Sequence, residues 1–248
     1  MTPTDRPQAD VSAALAALPD ADRSAVAGLW SGTLGVTVRC VPTRRTVRVG
    51  DGATTVFGKW RVGRGADARN EWRWLAELPQ LGLPTPEPLV WLGDAERSLL
   101  VTRAAPGRSL QDWALRALAE GWGPELVRYA CAEVAPRVRR LHDARLVYRD
   151  LYWNHVFCSD PRGPRDGAAS PPTFLDVERV LRPRWRWRRW LVKDLAGLLA
   201  SAPPALRRRA ALRFLRAYRG GSLAGCARLI DAVERKAARI LAHRPKYG

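Results

Sequence analysis

Cysteine, histidine and methionine are scarce in this chain of 248 residues: it has four, three and one of them. The cysteines (Cys40, Cys131, Cys158, Cys226) are scattered and show no paired spacing, which excludes a zinc finger, a Cys-x-x-Cys redox motif and a disulfide-built scaffold. They read as core thiols of a reducing compartment. His142, His155 and His243 form no metal-ligand cluster in the sequence. No apolar run approaches the roughly 20 residues that a bilayer requires, so no transmembrane helix is expected. The N-terminus lacks a basic stretch followed by an apolar run, so no secretory signal is expected. Acidic residues are few as well: 24 Asp and Glu face 42 Lys and Arg, for a net charge of +18. Internal repeats and a Gly-x-Gly-x-x-Gly turn are both missing.

What is present suits a packed enzyme-sized chain. Hydrophobic residues make up 46% and there are eleven Trp, enough for one large domain or two small lobes around a cleft. The excess charge is mostly Arg, which suits bidentate contact with phosphate or carboxylate, although a general compositional bias toward Arg would look the same. Nucleic acid, anionic lipid and phosphorylated glycan all meet that charge. Without a zinc finger or a nucleic-acid aromatic motif, no nucleic-acid partner is expected.

Local patterns divide the chain. Residues 1–30 read as a loosely attached leader or peripheral helix, with a short helical pattern at Val11–Leu18 that Pro19 ends. From Thr33 to Val62, alternation at Val36, Val38, Cys40 and Thr46–Val49 predicts three strands, with Gly50-Asp51-Gly52 as a hairpin turn. A helix follows over Asp67–Leu78, then an extended Pro-rich run at Leu83–Pro88. Two more strands surround a Gly93-Asp94 turn. Ala104–Arg108 reads as a linker, and Ser109 with Asp112 as the start of a helix. The rest is helical, with a kink expected at Pro136, a disordered-looking hairpin insertion at Ser159–Pro172, and a break at Gly220-Gly221. The expected fold is α+β and bilobal: a small antiparallel-sheet N-lobe with one helix over 31–104, and a mainly helical C-lobe over 105–248.

Two acidic residues carry the chemistry. Val147-Tyr-Arg-Asp150 resembles the His-Arg-Asp loop of protein kinases, and Thr173-Phe-Leu-Asp176 resembles their magnesium-binding strand end. Phosphoryl transfer needs one carboxylate to take the hydroxyl proton and another to hold a metal. Upstream, Lys59 on the third strand and Glu71 on the next helix resemble the kinase Lys–Glu pair on the nucleotide phosphates. Arg44 or Arg45, at the turn between the first two strands, could reach the phosphates in place of glycines. Thr102, Arg103 and Ala104, at the entry to the linker, are the candidate adenine hinge.

Gly58-Lys59, Ala68-Arg-Asn-Glu-Trp72, Leu81-Gly-Leu-Pro-Thr85, Arg149-Asp-Leu-Tyr152 with His155, Leu175-Asp176 with Arg179, and Lys193-Asp-Leu-Ala196 occur in order. Together they resemble the lipopolysaccharide core kinases, the heptose and Kdo kinase family, over roughly residues 33–200. The resemblance implies a protein-kinase-like fold and transfer of the γ-phosphoryl of ATP, with Mg2+, to a sugar hydroxyl of an anionic glycolipid or related acceptor. It further implies Asp150 as catalytic base beside Arg149, and Asp176 as metal ligand. His155 takes the position of the catalytic-loop Asn, as a metal or phosphate partner, with Asn154 as its rival. Asp194 is implied as a buttress of the loop. Tyr148 in place of the kinase His removes one backbone-anchoring imidazole. Val177-Glu178 replaces Phe-Gly and no Ala-Pro-Glu follows, so switching by activation-loop phosphorylation is not expected.

The run Arg182-Pro-Arg-Trp-Arg-Trp-Arg-Arg-Trp190 either docks on an acidic lipid or glycan surface, or buries its Trp and solvates its Arg. The expected location is cytoplasmic, with peripheral contact at the inner face of the membrane. The competing functions are a small-molecule kinase of the aminoglycoside or choline type and a catalytically silent kinase-like binding protein.

Overall fold

The computed structural model describes residues 7–63, 67–93, 96–163 and 169–243. Asp94 of the expected turn and residues 164–168 of the expected insertion lie outside them. Contacts group the chain into two units, one of residues 1–80 and 85–105, the other of residues 81–84 and 106–248.

The first unit is built on an antiparallel sheet of β1 (Val36–Val41), β2 (Arg44–Val49), β3 (Val56–Val62), β4 (Pro88–Gly93) and β5 (Arg97–Arg103), in the order β1-β2-β3-β5-β4. Strand alternation gives it two dissimilar faces. On one, Val47, Val56, Val90, Leu92, Leu99 and Val101 pack against Ala14 of α1 (Val11–Ala16) and Val26 and Leu29 of α2 (Asp20–Ser31). Gly58 lies on this face, and a Cβ there would come 3.0 Å from both Leu29 and Leu99. The other face carries Lys59 and Arg61 toward α3 (Arg69–Gln80), whose Trp72, Leu75 and Leu78 are buried.

Of the leader and the peripheral helix expected for residues 1–30, the described part is helical, α1 and α2, and is packed on the sheet rather than loosely attached. Asp22 is buried and accepts both terminal nitrogens of Arg103, at 2.8 and 2.7 Å. Gln8 adds backbone bonds to Trp91 and Gly93. The apolar stripe of α2 was hidden from pattern reading by the Ala, Asp and Pro around it.

In the second unit a small sheet, β6 (Arg108–Ser109), β7 (Val156–Cys158) and β8 (Thr173–Phe174), carries the loop residues between helices. Ser109 caps α4 (Leu110–Glu120) through Asp112 N, as its spacing with Asp112 indicated. α5 (Gly123–Tyr129) runs through a π turn at Ala130–Val134 into α6 (Ala135–Asp143). That turn lies just before Pro136, whose missing N–H and bulky ring disturb the regular ladder. α7 (Trp187–Ser201), α8 (Pro204–Tyr218) and α9 (Ala227–Ala242) complete the unit. Leu81–Pro84 belongs to it too, since Phe174 N donates to Pro84 O at 2.7 Å.

Candidate active site

In the first unit, Glu71 is buried and takes two cations, one on each oxygen: Lys59 Nζ on Oε1 and Arg61 Nη2 on Oε2. Lys59 and Arg61 are two apart on β3 and so share a face. A buried carboxylate is costly unless paired, and Arg61, itself buried, keeps Glu71 compensated while Lys59 stays 28% exposed at its side chain. The pairing of Lys59 with Glu71 was legible in the sequence, and the second cation was not. Register also separates the two arginines of the β1–β2 turn. Arg44 lies opposite Arg61, on the Lys59 face, whereas Arg45 lies opposite Trp60 on the other.

Thr102, Arg103 and Ala104, the candidate hinge, lie at and just past the end of β5. Thr102 is buried within β5, between Phe57 and Pro88. Arg103 N donates to Glu87 O and Ala104 N to Thr55 O, both at 2.9 Å. The Arg103 and Ala104 N–H groups are thus bound within this unit, and the Arg103 side chain pairs with Asp22 of α2.

In the second unit, one stripe of α7 organises the loop that bears Asp150. Asp194, fully buried, accepts from Tyr148 N at 2.6 Å and Arg149 N at 2.7 Å. Lys193 Nζ donates to Arg149 O, and Trp153 N donates to Ser201 Oγ at 3.0 Å. Gly197 lies between, so near that a Cβ would stand 2.6 Å from Leu151 O. Positions 193/194, 197 and 201 share a helix face by the 3.6-residue period, so α7 is a template for residues 148–153. Behind it, His142 Nε2 faces Asp194 at 3.3 Å and its Nδ1 meets Tyr218 Oη at 2.9 Å. A carboxylate only accepts, so the imidazole proton belongs on Nε2 and Tyr218 donates to Nδ1. Burial pushes the Tyr218 hydroxyl pKa up, which keeps that proton in place.

Asp150 and Asp176 are brought together by three ties. Val147 and Leu181 exchange backbone bonds at 3.0 and 3.1 Å, Leu175 N donates to His155 O at 2.8 Å, and the Tyr148 hydroxyl donates to Leu175 O. Tyr148 thus supplies a backbone anchor of its own where loss of the kinase His suggested one fewer. Arg149 and Asp176 both have left-handed φ, 75° and 60°, strained for non-glycine residues and held by these bonds.

The Asp150 carboxylate is bracketed by cations. Arg179 Nη1 donates to its Oδ1 at 3.0 Å, and Lys193 Nζ stands 3.6 Å from the same oxygen. Burial pulls the Lys193 pKa down and the Asp150 charge pulls it back up. His155 Nδ1 meets the Asp150 carbonyl at 2.8 Å, so Nδ1 carries the proton and a neutral ring has its lone pair on Nε2. That nitrogen faces Asp176 Oδ2 across 3.9 Å.

Arg149 is a correction. Its guanidinium lies 5.0 Å over the Trp190 ring, so only its backbone serves the loop. The guanidinium on Asp150 comes from Arg179, three residues past Asp176 in a 3-10 turn, a placement only a tertiary contact can reveal. Asn154 is exposed, and His155 is the neighbour that faces Asp176. One carboxylate and one imidazole lone pair fit a cation that takes its remaining ligands from phosphate and water, as magnesium does.

A separate apolar cavity of about 720 Å3 opens among the helices of this unit, lined by Val127, Leu198, Phe214, Ile230, Val233 and Leu241 among others.

The sheet unit, the helical unit and this loop define an α+β protein of protein-kinase-like fold. Residues 38–218 match the lipopolysaccharide kinase (Kdo/WaaP) family, and the chain belongs to it. It is 28% identical over 213 residues to the lipopolysaccharide core heptose(I) kinase WaaP of Escherichia coli (strain K12), covering 75% of this chain and 78% of that protein. The solved structure of WaaP in complex with acyl carrier protein is similar at TM-score 0.65 and 29% identity, over 84% of this chain and 89% of that one.

Proposed function

We propose that this protein is an ATP- and magnesium-dependent kinase that phosphorylates a sugar hydroxyl of a lipopolysaccharide-core or similar lipid-linked glycan, at the cytoplasmic face of the membrane. The observation that carries the reading is the loop geometry: a base-capable carboxylate, Asp150, beside a facing His155–Asp176 pair of the kind that holds a cation. Family membership supports the reaction class.

Asp150 takes the proton of the acceptor hydroxyl as its oxygen bonds to the γ-phosphorus of ATP and the bridging oxygen leaves with ADP. Arg179 holds the carboxylate in one orientation, and Lys193 links it to the loop backbone. Asp176 and His155 Nε2 would hold a magnesium ion, which would neutralise charge on the phosphates. Lys59 supplies charge to the α- and β-phosphates while Arg61 keeps Glu71 paired. Arg44, from its register, is the better placed of the two turn arginines to assist.

Incubation with ATP, magnesium and dephosphorylated core glycolipid should give a product one phosphate heavier by mass spectrometry. Turnover of an aminoglycoside or amino alcohol with none of glycolipid would instead identify a small-molecule kinase. Failure to bind nucleotide at all would leave a silent kinase-like protein.

A second partner is proposed from the solved relative, which was in complex with acyl carrier protein. The apolar cavity of about 720 Å3 is a suitable place for a carrier's acyl chain. Mass spectrometry of the purified protein should find a phosphopantetheine-linked carrier with its acyl group. Purification of stable protein free of any carrier, with no binding when acylated carrier is added, would remove this partner.

A further inference from the structure

Several arginines of this chain find a carboxylate nearby: Arg73, Arg116, Arg128, Arg137 and Arg139 each pair with a Glu or Asp three or four residues away. The run from Arg182 to Trp190 does not follow that pattern. Arg182, Arg184, Arg186 and Arg188 are all exposed, and among the described residues no carboxylate is paired with any of them. In their midst Trp185 is 81% exposed, the most exposed of the large hydrophobic residues. An indole left in water this fully is unusual, because Trp is highly buried on average.

The rest of the run is fastened down. Trp187 packs edge-on to His142 at 5.9 Å and lies under Arg145 at 5.4 Å, while Trp190 lies under Arg149 and Arg189 at 5.0 and 5.7 Å. Arg186, at the start of α7, has a left-handed φ of 54°. The run divides between the two sequence expectations. Two of the three Trp are stems set into the unit, and the third is a tip held out among unpaired guanidiniums.

We propose that Trp185 and the surrounding arginines form an interfacial anchor for an anionic lipid bilayer. A ring that is apolar at its face and polar at its N–H settles at headgroup level, where it keeps hydration on one side only. The flanking guanidiniums then meet lipid phosphates, with a free energy that grows with each cation near the surface. A soluble glycan would need an enclosing groove with its own acceptors, whereas this tip projects outward. The placement also gives the anchor a purpose. It leads directly into α7, which begins at Trp187, and the residues that template the Asp150 loop begin at Lys193, six positions after Trp187, about 9 Å along the helix at 1.5 Å per residue. Docking there would hold the loop beside lipid headgroups. The anchor deepens the proposed action on a lipid-linked acceptor, but its test uses neither ATP nor acceptor, so failure of one leaves the other standing.

The full chain is sedimented with phosphatidylcholine vesicles and with vesicles containing phosphatidylglycerol at about one lipid in three. Binding is expected to the second set and to fall steeply as salt is raised. Replacing Arg182, Arg184 and Arg188 together with Gln should lower the partition coefficient roughly 100-fold, about fivefold per arginine. Trp185→Ser should weaken binding and remove quenching of tryptophan fluorescence by brominated acyl chains. All four side chains are exposed, so an unchanged thermal midpoint is expected and would confirm intact folding. Equal binding to neutral vesicles would overturn the proposal. So would unaltered partition of the triple variant, or loss in that variant of binding to a soluble phosphorylated glycan while vesicle binding persists.

Discussion

Replacing Asp150 with Ala is expected to lower turnover by roughly 100- to 10,000-fold while nucleotide affinity changes little. The loss is local because the backbone at this position does separate work. The Asp150 carbonyl, which the substitution leaves in place, accepts from His155 and so preserves the ring facing Asp176. What disappears is the carboxylate between Arg179 and Lys193. Two cations then face each other without their shared anion. Lys193, whose pKa burial already pulls down, loses the neighbour that pulls it up, and should release its proton at lower pH than before. Steady-state kinetics with glycolipid acceptor, alongside calorimetric titration with nucleotide, separates the two effects. Turnover comparable to the parent protein would remove the assigned base.

Asp194→Ala should act on stability first. This carboxylate is fully buried and meets two backbone N–H groups and the His142 ring. Its removal orphans those donors in the interior, at about 1–3 kcal/mol for each buried group left unsatisfied. A total of about 3–5 kcal/mol is expected, a large share of the margin of an ordinary domain. Urea unfolding followed by tryptophan fluorescence should show a marked fall in midpoint, and residual folded protein should have little activity because residues 148–153 lose their template. A shift under about 0.5 kcal/mol, the range of ordinary surface substitutions, would show that Asp194 does not support the loop.

The two predictions draw on different kinds of legibility. Asp150 and Asp176 could be found from the chain because each follows a short apolar stretch that reads as a strand end, and strand ends present side chains rather than bury them. Lys59 and Glu71 were legible for a similar reason, since a lone Lys inside an apolar strand needs a carboxylate, and the next helix offers one. Arg61 escaped notice because it looked like an ordinary arginine at an exposed strand end, whereas it is buried on the second oxygen of Glu71. Arg179 stood in the motif that carries the resemblance, but its contact with Asp150 was not legible because it spans 29 residues of chain. Arg149 misled for the opposite reason. It is adjacent to Asp150 in sequence, but its left-handed backbone turns the side chain to Trp190.

The end of β5 and the N-terminal segment are tied to each other by a contact that no local pattern shows. Arg103 closes a strand and precedes a linker, which suggests open backbone groups. Its N–H is bound to Glu87, and its guanidinium reaches back 81 residues to Asp22. One side chain therefore ties down the segment that composition alone made look detached.

From its sequence alone, the five strands of the first unit were set, along with the helix after the third, the helical character of the second unit, and the residue types able to take a proton and hold a cation. Those follow from side-chain period, turn chemistry and ionisable groups, which are properties of short stretches. Tertiary structure decided which cations meet which carboxylates, which nitrogen of His155 carries its proton, and which of three tryptophans remains in water. Such choices depend on burial and on hydrogen bonds between distant residues, because a charge inside a protein is tolerable only where the fold brings its partner.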